Sequence, residues 1–243
     1  MGNLQDKVVL ITGANRGIGR GMARAMAAAG AKLTLAARDT ALLEEAAAEV
    51  QSAGTEVLAV PTDVTDEAAV EALFAAHQER YGRIDVLMNN AGAFDGGQFD
   101  QLTTEAWDKV IGVNLRGPFL CGRAAFRLMM AQGGGRIINV GSISAQRSRD
   151  GSAPYTTSKF GIWGLTQAMG LDGRKHGIAV SCLHPGNVLT ERRTDSGKNS
   201  DDEPMMTTAE LAEVAVLMAS LPPHVNMLEA IVLPVDQLYL GRG

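Results

Sequence analysis

The sequence predicts an α/β protein: a doubly wound parallel sheet, flanked by helices and built as a single domain. Three observations lead there. Short apolar runs rich in β-branched residues alternate with segments of helical composition along the 243 residues. Most of these runs are continuously apolar rather than alternating, as strands covered by helices on both faces must be. A glycine cluster stands between the first run and the first helix, where a right-handed strand–helix–strand crossover would begin.

The elements follow in order. "KVVLITGA" (7–14) is a strand, and "RGIGRGMARAMAAAG" (16–30) a helix closed by glycine. "AKLTLAAR" (31–38) is the second strand; "TALLEEAAAEVQSAG" (40–54) is a helix with Thr40 as N-cap and Gly54 past its end. "EVLAVPTDV" (56–64) is a strand, "DEAAVEALFAAHQERYG" (66–82) an amphipathic helix, and "IDVLMNNAG" (84–92) a strand. Residues 104–132 form one long helix, 135–142 a strand, 154–177 a helix and 178–186 a strand. "ERRTDSGKNSDDEPMM" (191–206) is polar and turn-rich, and is expected to be a mobile substrate loop. A helix at 208–221 and a last strand at 228–234 complete the pattern, with no linker to divide the chain.

Composition narrows the function. A net charge of −5 argues against a nucleic-acid partner or an anionic membrane surface. No apolar run approaches the length of a membrane span, and the first residues lack the pattern of a secretory signal. The two cysteines, Cys121 and Cys182, sit in apolar contexts and read as buried free thiols of a cytoplasmic protein. No spacing of His, Cys, Asp and Glu suggests a metal site.

"TGANRGIG" (12–19) follows the first strand and opens the first helix. Its glycines let backbone N–H groups approach a pyrophosphate at the helix N-terminus. The spacing Gly13-x-x-x-Gly17-x-Gly19 differs from the standard G-x-G-x-x-G fingerprint. At the tip of the second strand an NAD-binding site wants an acidic residue. Here stand Ala37 and Arg38, and Arg16 lies within the glycine loop. Two guanidiniums suit a 2′-phosphate, so NADP(H) is favoured. Asp39, one residue on, keeps NAD(H) open.

"APYTTSKFGIWGLTQAM" (153–169) sets Tyr155 and Lys159 four residues apart, on one helix face. A phenol with a reference pKa near 10 exchanges protons poorly at neutral pH. An ammonium beside it favours the phenolate, and Tyr155 then serves as an acid–base group for a carbonyl or an alcohol. Pro118 has no N–H, so the carbonyl of Asn114, four residues back, loses its helical partner. That carbonyl is expected to hold a water reaching toward Lys159; the alternative is a simple proline kink.

Together "TGANRGIG", "NNAG" (89–92), "VGS" ending at Ser142, "YTTSK" (155–159) and "HPGNVLT" (184–190) resemble the short-chain dehydrogenase/reductase family over roughly residues 5–190. The resemblance implies a Rossmann-type sheet of about seven strands, a homo-oligomer (usually a tetramer, otherwise a dimer) and hydride exchange between a nicotinamide and a small carbonyl or alcohol substrate. It makes Tyr155 the general acid/base and Lys159 its partner, which also binds the nicotinamide ribose. Ser142, thirteen residues before Tyr155, becomes the group bonded to the substrate oxygen, and Asn114 the supporting residue. Cofactor contacts carry over to Gly13, Asn15, Arg16, Gly17, Ile18 and Gly19 of the first loop, and to Arg38. Asp63 and Val64 are implied at the adenine, Asn90, Ala91 and Gly92 at the adenosine ribose, and Pro185, Gly186, Val188 and Thr190 at the nicotinamide. Asn89 and His184 read as structural. The C-terminal "NMLEAIVLPVDQLYLGRG" departs from the family's glycine-rich tail, which leaves the assembly contacts open. Arg147 and Arg149 in the segment before Tyr155 are candidates for the pocket mouth, although a solvated loop explains them as well. Other readings are an NAD-dependent dehydrogenase, an epimerase or dehydratase that uses the bound nucleotide, and a catalytically silent nucleotide sensor. The intact Asn114, Ser142, Tyr155 and Lys159 set speaks against the sensor.

Overall fold

The structure, a computed structural model, describes residues 2–191 and 204–239. Seven strands form one sheet: β1 (Val8–Thr12), β2 (Lys32–Ala37), β3 (Val57–Pro61), β4 (Val86–Asn89), β5 (Gly135–Val140), β6 (Ile178–Pro185) and β7 (Glu229–Val232). Their order is β3-β2-β1-β4-β5-β6-β7, and every neighbouring pair is parallel. This is the Rossmann-type arrangement, with the order reversing at β1, between β2 and β4. In an open α/β sheet a ligand crevice forms outside the strand ends at that reversal.

Both faces are covered, which is why the strands read as unbroken apolar runs. Along β1, Val9 and Ile11 enter one core while Leu10 enters the other. The first core is closed by α1 (Gly17–Ala28), α2 (Thr40–Ser52) and α7 (Thr208–Ser220), through residues such as Met22, Met26, Leu43, Leu211 and Ala215. The second is closed by α3 (Glu67–Tyr81) and α5 (Gly117–Gln132), through Leu73, Phe74, Leu120 and Met129. Further helices are α4 (Thr104–Ile111) and α6 (Ala153–Gly173).

Three local expectations are corrected. The N-cap of α2 is Asp39, whose carboxylate accepts from Leu42 N at 3.1 Å; Thr40 is the first helical residue. Both are capping types, and the chain turns one residue earlier than expected. The helix expected over 104–132 is interrupted: Gly112–Arg116 form a wide π turn, with Gly117 N donating to Gly112 O five residues back. Pro118, which cannot continue the ordinary ladder, follows immediately. The helix expected over 154–177 stops at Gly173, and a 3₁₀ turn (Arg174–His176) leads to Gly177 in the left-handed conformation. Of the expected mobile loop, residues 192–203 lie outside the described residues. Its far end is held: Met206 bridges Val188, and Leu189 N donates to Met206 O at 2.8 Å. Among the described residues no helix is long and apolar enough to cross a membrane, and no group of His, Cys, Asp and Glu side chains could hold a metal.

Candidate active site

A cleft of about 800 Å³ opens at the C-terminal ends of the strands. Its floor is a junction of β1 and β4. Thr12 Oγ1 accepts from both Asn90 N and Ala91 N at 3.1 Å, and Asn90 Nδ2 donates to Thr12 O at 2.9 Å and Gly13 O at 3.1 Å. These bonds fuse the glycine loop to the end of β4. Gly19 sits so close to this junction that a Cβ there would lie 2.2 Å from Gly13 O. The loop can therefore fold onto α1 only with glycine at that position.

The start of α1 faces the cleft, and its first amide holds an anion. Gly17 N donates to the Glu191 carboxylate at 3.0 Å. A carboxylate at a helix N-terminus shows that this position accepts anionic oxygen, as a pyrophosphate requires. The residues present thus fit a dinucleotide. Arg16 and Arg38 line the same cleft, and Arg38 stands 3.9 Å from Asp63 in a loose, exposed ion pair.

On the other side of the cleft, Ser142 follows β5 and is buried; its Oγ accepts from Ser144 N at 3.1 Å. Tyr155 and Lys159 project from the first turns of α6. The Lys159 ammonium lies 5.5 Å from the Tyr155 ring centroid and donates to Val140 O at 2.9 Å. The pair therefore shares one side of the helix, with the ammonium over the ring face and anchored to the end of β5. Phe94 packs against that ring, tilted by 57°, with centroids 5.1 Å apart.

Every cofactor position read from the sequence lines this cleft, as do Ser142, Tyr155 and Lys159. Asn114 does not. It is buried in the π turn, where its amide accepts from Ala93 N (2.7 Å) and donates to Ala93 O (2.9 Å) and Ser158 Oγ (3.1 Å). Ser158 Oγ in turn donates to Tyr155 O at 2.7 Å. The Asn114 side chain thus braces the loop after β4 against the first turn of α6. Asn89 stabilises the sheet, donating to Asn139 Oδ1 at 2.9 Å.

Some lining residues were not legible in the sequence. Phe94, Ile143, Asn187 and Glu191 also line the cleft; each stands near a motif without belonging to its pattern. Of the two candidate arginines at the mouth, Arg149 lines the cleft and reaches Asn187 Oδ1 at 3.4 Å. His184 is fully buried against the backbone of Ser142, and burial holds its imidazole below the ordinary range. Cys121 and Cys182 are free and buried, and burial pushes both thiols up to about 12.

Comparison with known proteins agrees with this geometry. A family model described as short chain dehydrogenase matches residues 7–201. A levodione reductase from Leifsonia aquatica is 35% identical over 249 aligned residues, covering 95% of this chain and 93% of that protein. A short-chain type dehydrogenase/reductase from Mycobacterium marinum superposes with a TM-score of 0.88 at 30% identity, over 95% of both chains. An actinorhodin polyketide ketoreductase variant, crystallised with NADPH, superposes with a TM-score of 0.87 at 31% identity, covering 96% of this chain and 98% of that one.

Proposed function

Because the chain belongs to the short-chain dehydrogenase family, we propose that it is an NADP(H)-dependent oxidoreductase interconverting a carbonyl and a secondary alcohol, with Tyr155 as the acid–base group. The observation that carries this reading is the convergence of Ser142, Tyr155 and Lys159 on one side of a cleft that also contains the glycine loop and Arg38. A bound nicotinamide dinucleotide supplies or accepts the hydride.

The chain's own residues do the rest. The Ser142 hydroxyl holds the substrate oxygen. The Tyr155 hydroxyl gives that oxygen a proton in reduction and takes one in oxidation. Lys159 lays positive charge beside the ring as the proton leaves, and its ammonium is already fixed by Val140 O. A water on the Asn114 carbonyl relays the replacement proton from solvent. Phe94 backs the Tyr155 ring and offers an apolar wall to the substrate.

Two features support NADP(H). Arg16 and Arg38 both reach the cleft, where a 2′-phosphate would take paired bonds from a guanidinium. The carboxylate at the tip of β2, Asp39, is engaged in capping α2. The NADPH-bound ketoreductase among the similar structures supports the same preference.

The test is oxidation of NADPH and of NADH against a panel of carbonyl compounds, followed by the near-ultraviolet absorbance of the reduced nicotinamide. NADPH-dependent turnover is expected, falling by at least about a hundredfold in Tyr155→Phe with cofactor still bound. Unchanged turnover in that variant removes Tyr155 from the chemistry. Arg38→Asp is expected to weaken NADPH binding and spare NADH; an equal effect on both overturns the preference.

A further inference from the structure

We propose that His184 is a positioning residue for Ser142, held in place from behind by Glu229, Gln146 and the C-terminal tail. The inference rests on the reading of Ser142 as the substrate-oxygen contact.

His184 stands near the end of β6, wholly inaccessible to solvent, forty-two residues from Ser142 in sequence. Its Nδ1 lies 3.2 Å from Ser142 N and 2.9 Å from Ser142 O. Ser142 is fully extended, with φ −174° and ψ 159°, so its own N–H and C=O point the same way. The imidazole nitrogen sits in the mouth of that fork and fixes the plane from which the serine side chain springs. Apolar packing would hold the chain there far less directionally.

The neighbouring residues are shaped to admit this ring. A Cβ on Gly141 would lie 2.5 Å from His184 Nδ1 and 2.7 Å from Cε1. Glycine before the serine is thus what lets the imidazole reach the backbone. Trp163 of α6 meets the ring edge to face, centroids 5.8 Å apart.

The far nitrogen shows what holds the ring's orientation. His184 Nε2 is buried and makes no hydrogen bond among the described residues; Glu229 Oε1 lies 3.4 Å away and closes the ring in from that side. A neutral imidazole has one N–H. With the proton on Nδ1, that N–H donates to Ser142 O at 2.9 Å, the shorter of the two contacts. With the proton on Nε2, Nδ1 instead accepts from Ser142 N at 3.2 Å. Either tautomer ties the ring to the serine backbone, and Glu229 limits the ring's rotation from the far side.

Glu229 is fixed in its turn. Gln146 Nε2 donates to Glu229 Oε1 at 2.7 Å, and Tyr239 OH donates to Gln146 Oε1 at 3.1 Å. A line of polar contacts thus runs from the tail, through Gln146, Glu229 and His184, to the serine. The same tail sends Gln237 Oε1 to Asn187 N at 2.8 Å, in the loop after β6.

The experiment is a double-mutant cycle on the active protein with NADPH and the carbonyl found by the panel, using Ser142→Ala, His184→Gln and the double variant, with His184→Asn alongside. Gln extends its amide toward Glu229 and lacks a polar group at the Nδ1 position; the Asn amide keeps one there, able to bond Ser142 N or O. H184Q is expected to lower kcat by about tenfold to a hundredfold, because small misplacements of a positioned group are costly, with the KM for NADPH unchanged. H184N is expected to stay within about threefold of the native kcat, and H184Q is expected to have no further effect in the S142A background. Should H184Q fail to fold, H184N carries the test alone. The inference is overturned if H184N loses tenfold or more, if H184Q leaves kcat intact while S142A abolishes it, or if H184Q costs the same factor with and without Ser142. Native turnover in S142A would instead refute the role given to the serine itself.

Discussion

Replacing Asn114 by Asp changes one atom and little volume, yet it is expected to destabilise the protein by about 3 kcal/mol at neutral pH. The native amide has only one workable orientation. Its oxygen faces Ala93 N and its nitrogen faces Ala93 O and Ser158 Oγ. A carboxylate keeps the first bond and loses both donors. Ala93 O then faces another acceptor; leaving such a group unpaired costs about 1–3 kcal/mol. Ser158 can turn its hydroxyl to the new oxygen only by releasing Tyr155 O. The residue is 2% exposed, and among the described residues no basic side chain bonds to its amide, so the charge adds a burial cost. Protonation restores one donor, aimed at Ala93 O. The loss should therefore shrink as pH falls, since the folded variant takes up a proton that the unfolded carboxylate still lacks. Urea unfolding at about pH 8 and about pH 5.5 measures this. For a chain this long, about 3 kcal/mol lowers the midpoint by roughly 1 M. A midpoint equal to that of the native protein near pH 8, or a deficit that does not narrow at the lower pH, refutes the brace.

Two further outcomes follow from single contacts. His77 is buried and neutral: its Nε2 donates to Arg83 O at 3.0 Å, its Nδ1 takes the Thr34 hydroxyl at 2.8 Å, and burial lowers its pKa from 6.5 to about 4. The unfolded chain thus binds a proton at a pH where the folded one does not. Stability from this group is complete above about pH 7 and is lost as pH falls from about 6.5 to about 4, in all about 3 kcal/mol. His77→Gln should flatten that part of the stability–pH curve, and an unchanged slope would exclude His77 as its source. Glu191 occupies the Gly17 amide at the start of α1, the donor a pyrophosphate would use. Glu191→Gln is therefore expected to tighten NADPH binding by about twofold to fivefold at low salt, with the gain fading as salt rises. Weaker binding in a fluorescence titration would mean that the carboxylate assists the cofactor.

What the sequence revealed and what it hid have separate physical causes. The sheet was legible because a strand buried on both faces is mostly aliphatic, and β1, four aliphatic residues followed by Thr12 and all five buried, shows that directly. The glycine loop, Ser142, Tyr155 and Lys159 were legible because each combines an unusual residue type with a strand end or helix start. The cap of α2 was misplaced by one residue because Asp39 and Thr40 are equally able caps, and only the backbone turn decides between them. The π turn at Gly112–Arg116 was missed because Pro118 announces a lost bond, not the way the helix absorbs it. The role of His184 was hidden more deeply. Its partner Ser142 lies on another strand, and nothing local tells a buried histidine that holds a backbone from one that fills space.

The setting of α6 explains why a polar layer persists beneath the site. The side of this helix turned inward carries Ser158, Lys159, Ile162 and Thr166, which is a poor apolar stripe. Apolar contacts are non-directional and would tolerate a rotated helix; hydrogen bonds would not. Asn89 Nδ2 reaches Asn139 Oδ1, Asn139 Nδ2 reaches Thr166 Oγ1, and Lys159 Nζ reaches Val140 O, each at 2.9 Å. These three contacts pass from β4 through β5 to α6. Together with Asn114 and Ser158 they fix both the height and the rotation of the helix that carries Tyr155. The layer carries a cost: Asn89 Oδ1 is buried with no hydrogen-bond partner among the described residues, and such an atom forfeits about 1–3 kcal/mol. A helix under selection for stability alone would bury leucines along this side. Keeping amides and an ammonium there makes sense if the quantity being held constant is the direction of a phenol relative to Ser142.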